Sequence, residues 1–75
     1  MTWDHELDAR GLLCPLPVLK ARKRLMGMAP GQILRLVATD PAAVVDVPHY
    51  CTESGNLLRD SGQEGEAQIY LIERR

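Results

Sequence analysis

The sequence predicts an α+β fold: a two-layer sandwich in the order β-α-β-α-β-β, with two helices on one face of a four-stranded mixed sheet. Three observations lead there. Apolar residues recur three and four apart over 15–28, the period of a helix. They alternate over 5–9, 32–39 and 66–73, the period of a strand. Gly and Pro fall where the period changes, as turn residues do. No repeat, linker or low-complexity tract interrupts the chain, so residues 1–75 are read as a single domain.

Each element follows in order. His5–Ala9 is a short strand with Leu7 and Ala9 on one face, ended by Gly11. Pro15–Met28 is a helix on the spacing of Val18, Ala21, Leu25 and Met28, with Leu19 and Met26 beside them and Lys20, Lys23 and Arg24 on the other side. Pro30-Gly31 ends it. Gln32–Thr39 is the clearest strand, with Leu34, Leu36 and Ala38 on one face and Ile33, Arg35 and Val37 on the other. Asp40 is the N-cap of the second helix and Pro41 its first residue. Pro48 is expected to interrupt that helix, leaving a turn over Pro41–Val45 and a fuller segment over Val47–Ser54, closed by Gly55. Asn56–Ser61 is a weak strand and Glu66–Glu73 a stronger one. The stretch GQEG between them makes a hairpin.

Composition bounds the function. With 75 residues, the chain buries only about 60% of the surface its unfolded form exposes. Its aromatics are Trp3, Tyr50 and Tyr70, with no Phe, so aliphatic side chains build the core. A net charge of −1 argues against direct nucleic-acid binding, which rests on neutralising phosphates. No apolar run has the length of a membrane span, and the first eleven residues have no apolar stretch of a secretory signal. The expected location is cytoplasmic, with no membrane partner, and the expected state is a monomer. Cys14, Cys51, His5 and His49 fit no zinc spacing, so neither metal nor cofactor is expected.

The stretch GLLCPLPVLKARKRL holds the chemistry. With Cys14 as N-cap, Pro15 is the first helical residue and Pro17 the third. Both prolines remove donors that a helix start leaves unpaired and pre-set its first turn. The N–H of Leu16 is then the chief free donor, facing the Cys14 sulfur, and the positive end of the helix favours thiolate. Lys20 lies about 9 Å of helix rise further on, where surface charge is largely screened. The blander alternative is a cysteine that merely packs as a small hydrophobe. For Cys51, on one helix face with Val44 and Val47, that core reading is favoured. There is no C-x-x-C dithiol, and His5 and His49 qualify as bases for a cysteine hydrolase by residue type alone. Arg10, Lys20, Lys23 and Arg24 are candidate docking cations for an acidic partner surface, or simply solvated charges.

The stretch LDARGLLCPLPVLKARKRL resembles the signature of the TusA/SirA-like sulfur-carrier family, whose mark is Cys-Pro-x-Pro at the start of the first helix. PGQILRLVATDPAAVVDVPHYCTESGNLL resembles the family too, in its Pro-Gly turn, its Asp-Pro, and its Asp-x-Pro followed by a second cysteine. The resemblance implies the sandwich reached above. It also implies that Cys14 carries sulfane sulfur as a persulfide, by transpersulfidation. The sulfur would come from a donor protein, a cysteine desulfurase or rhodanese-like, and pass to an acceptor protein. Branches of the family serve tRNA thiolation, sulfur oxidation, molybdenum-cofactor supply and selenium handling. The tRNA branch tends to have an acidic residue where this chain has Leu16, and many members have His where it has Asn56. Both departures bear on that branch; neither touches the thiol chemistry. Two other readings stay open: a cysteine-based redox sensor or regulatory domain, and an interaction domain in which Cys-Pro-x-Pro is only a helix cap.

Overall fold

The alternating stretches become strands and the three-four stretches become helices. In the computed structural model, which describes residues 2–75, the elements are β1 (His5–Ala9), α1 (Leu16–Met26), β2 (Ile33–Ala38), α2 (Ala43–Ser54), β3 (Leu57–Glu64) and β4 (Ala67–Glu73). The sheet order is β1-β2-β4-β3. β1 pairs parallel to β2, while β2–β4 and β3–β4 are antiparallel. The mixed sheet and its two helices are the predicted architecture.

Register lines up the inner face. Leu7 lies opposite Leu36, Leu34 opposite Ile72, and Leu36 opposite Tyr70. Against this row pack Ala21 and Leu25 of α1 and Ala43, Val47 and Cys51 of α2, in one core. Leu25, Leu34, Leu36 and Ile72 are fully buried, each contributing about 1.5–3 kcal/mol of burial. The outer face is spanned by Arg35, which bridges Glu6 and Glu64 at 2.7 and 2.8 Å and lies 5.0 Å above the Trp3 ring.

Several boundaries differ from expectation. α1 starts at Leu16, with Pro15 in the capping position and Pro17 second in the helix, so Cys14 lies outside it. The Cys14–Pro15 peptide is cis. α2 is continuous through Pro48. The N–H that proline lacks would have met the carbonyl of Val44, an exposed residue that water can serve. Val44 is therefore not on the core face; Ala43 is. Asp40 precedes the helix as an anchor rather than as its cap: its Oδ1 accepts the N–H of Ala42 (3.2 Å) and its main-chain oxygen that of Ala43 (3.0 Å). β3 runs three residues beyond the expected end, and the turn shrinks to Gly65-Glu66. As an edge strand that is largely solvent-exposed, β3 carries little apolar alternation to mark its length. Gly65, at φ +60°, supplies the positive φ that a two-residue hairpin loop needs. No helix among the described residues is long and apolar enough to cross a membrane.

Candidate functional site

Parallel pairing of β1 with β2 brings the loops that follow both strands to the same end of the sheet. The loop after β1 is stitched to the loop after β2 twice. The N–H of Gly11 donates to Thr39 Oγ1 at 2.9 Å, and the N–H of Cys14 to Asp40 Oδ2 at 2.6 Å. Leu12 packs against the core beneath this loop. Asp40 is almost fully buried and is itself held, since its main-chain oxygen accepts from Gln68 Nε2 at 2.9 Å. Cys14 thus rides on a tethered backbone while its side chain stays exposed.

The thiol faces α2. Pro15 and Val18 form one wall of an open groove of about 280 Å³, and Asp46, His49, Tyr50 and Glu53 form the other. The carboxylate of Asp46 lines the same groove as the thiol and pushes its pKa up; partial desolvation and the charge of Asp40 act the same way. The helix end expected to face the sulfur is also placed differently. Leu16 N–H, the donor expected to face the sulfur, instead bonds to Leu13 O at 2.9 Å. Cys14 stands two residues before the helix, with the Asp46 carboxylate in the same groove.

The other predicted residues separate. Pro15 and Leu16 are exposed beside the thiol, while Pro17 is buried. Lys20, Lys23 and Arg24 line a different depression, with His5 and Leu7 at the β1 edge. Arg24 also donates to Glu6 O at 3.2 Å. Arg10 is bound to Asp8 by two contacts of 2.9 and 3.0 Å and holds that carboxyl at a pKa of about 2. Cys51 is free and buried in the core, its thiol pushed up to about 11 by burial. Among the described residues no group of three His, Cys, Asp or Glu is placed to hold a metal.

Sequence reasoning missed that Asp46, His49 and Glu53 line a groove with Cys14. Their spacing of three and four marks one polar face of a helix, but an expected break at Pro48 hid the face. Nothing local says that it fronts Cys14.

Comparison with known proteins points one way. The family model described as Sulfurtransferase TusA matches residues 5–74. A sulfur carrier protein TusA from Allochromatium vinosum is 46% identical over 72 residues, covering 96% of this chain and 95% of its own. The crystal structure of a SirA-like protein from Desulfitobacterium hafniense superposes with a TM-score of 0.83 at 18% identity, covering 93% of this chain and 96% of that one. At that identity the match speaks for the fold alone.

Proposed function

The chain belongs to the sulfurtransferase TusA family, and from that premise we propose that Cys14 carries sulfur as a persulfide between a donor and an acceptor protein. The observation that carries this reading is the contrast between the two thiols. Cys14 is exposed on a loop tethered through its own N–H, and Cys51 is buried. The groove at Cys14 is open, as suits a side chain that must enter another protein's site rather than enclose a small substrate. The relative from Allochromatium vinosum, named as a sulfur carrier protein, supports the same role.

In the proposed step the Cys14 sulfur attacks the outer sulfur of a donor persulfide, R–S–SH. A new S–S bond forms at Cys14 and the donor's S–S bond breaks. The donor leaves as a thiolate that takes up the proton Cys14 gave up, so a thiol and a persulfide yield a thiol and a persulfide with no oxidant. A cysteine desulfurase or a rhodanese-like protein is a donor of the right chemistry. Delivery repeats the exchange, with an acceptor thiol as the attacking group. Pro15, Leu16 and Pro17 shape the platform. Lys20, Lys23 and Arg24 are proposed as a separate basic patch for partner docking, away from the groove, and Arg10 as a further docking cation.

Intact-mass spectrometry tests the proposal. The reduced protein, incubated with a cysteine desulfurase and cysteine, is expected to gain one sulfur atom that reductant removes. Cys14→Ser should gain none while keeping the wild-type circular dichroism spectrum. A serine variant that loads as well as wild type would exclude Cys14 as the carrier.

A further inference from the structure

The groups that face the Cys14 thiol are few. α1 contributes Val18, which is apolar. The loop before α2 contributes Asp40, whose two carboxylate oxygens are taken by the N–H groups of Cys14 and Ala42. From α2 come Tyr50, Asp46 and the pair His49–Glu53, whose Nε2 and Oε1 are 2.8 Å apart. Among the described residues no cation pairs with Asp46, and its side chain lines the same groove as the Cys14 thiol. A free carboxylate therefore stands on the face of α2 turned toward the thiol, with no lysine or arginine lining the groove.

We propose that Asp46 is a positioning residue for Cys14: its carboxylate accepts the thiol's hydrogen bond, holds the side chain as a thiol in the free protein, and reserves transfer for a partner that brings a basic side chain into the groove. A carboxylate is a weaker base than a thiolate, so Asp46 does not take the proton; its negative charge facing the thiol favours the neutral form instead. A lysine or arginine of a docked donor or acceptor, paired with Asp46, would offset that negative charge and free the thiol to react by the balanced exchange given above. Only the sulfur-transfer half of this inference rests on the persulfide reading; the hold on the thiol stands without it.

The test starts with the free, reduced protein. Iodoacetamide alkylation at Cys14, read by peptide mass across a pH series, is expected to have a lower midpoint in Asp46→Asn than in wild type. A shift of about one unit would give roughly tenfold faster alkylation below both midpoints. Asp46→Glu, which keeps the charge, should stay near wild type, an outcome a merely structural role would not produce. Equal midpoints in wild type and Asp46→Asn, with unchanged circular dichroism, would overturn the hold on the thiol. For the partner half, sulfur loading is compared between inorganic polysulfide, which brings no cation, and a cysteine desulfurase. Asp46→Asn should outpace wild type with polysulfide by a clearly larger factor than with the desulfurase. An equal factor with both would overturn that half. If Cys14 accepts sulfur from neither, the persulfide reading fails, and the alkylation midpoint still decides the role of Asp46.

Discussion

Asp40 serves two elements with one carboxylate. Oδ2 takes the N–H of Cys14 and Oδ1 that of Ala42, so one side chain sets both the reactive loop and the approach to α2. Its main-chain oxygen continues the chain of bonds to Gln68, whose Oε1 accepts the hydroxyl of Tyr70 at 2.6 Å. Replacing Asp40 by Ala removes the acceptor and strands two part-buried N–H groups. A loss of about 1–3 kcal/mol is expected, read as a fall of roughly 4–8 °C in Tm per kcal/mol for a domain of this size. The amide of Cys14 should also exchange faster with solvent. A variant with wild-type Tm and unchanged exchange at Cys14 would show that the loop is held by something else.

At the scale of the element, α2 decides what Cys14 sees. The helix buries Ala43, Val47 and Cys51 and turns Asp46, His49, Tyr50 and Glu53 to the groove. Its continuity through Pro48 keeps both faces in register. Gly55 ends it at φ +80°, with its N–H on Cys51 O at 3.1 Å. A Cβ at Gly55 would meet no atom within 4 Å, so any cost of a side chain there is backbone strain rather than a clash. Gly55→Ala is expected to destabilise by about 1–2 kcal/mol, seen as a lower denaturant midpoint at unchanged slope. A neutral substitution would contradict the left-handed ending.

At the scale of the whole molecule, a small core makes each buried group count. Cys51 is nearly inaccessible, and burial holds its thiol protonated up to about 11. The unfolded chain releases that proton near 8.5. The stabilising difference is therefore fully present below the unfolded value and shrinks as pH rises toward about 11. The loss amounts to at most about 3 kcal/mol, by the worth of a pKa unit. Tm should fall over this alkaline window more steeply in wild type than in Cys51→Ala, which has no proton to lose. Parallel slopes would mean that other groups govern alkaline unfolding. The same burial separates the two thiols by role: Cys51 belongs to the core and Cys14 to the surface.

Taken alone, the sequence determines the order of the elements, their mixed-sheet sandwich and most of the core. Leu34, Leu36, Ala38, Ala21 and Leu25 all lie where their periodicity puts them, because period alone says which side of an element is apolar. It also marks Cys14, since Cys-Pro-x-Pro is a local pattern. Elsewhere the local signal fails. The full length of β3 is set by backbone pairing with β4, which polar side chains on an exposed edge do not report. The continuity of α2 through Pro48 rests on its packing against the sheet. The environment of the thiol was decided only in three dimensions. Residues 14 and 46 meet because β1 and β2 pair in parallel and α2 packs beside α1. Periodicity records which face of α2 is polar; only tertiary packing chooses what that face confronts, and here it sets a carboxylate against the thiol.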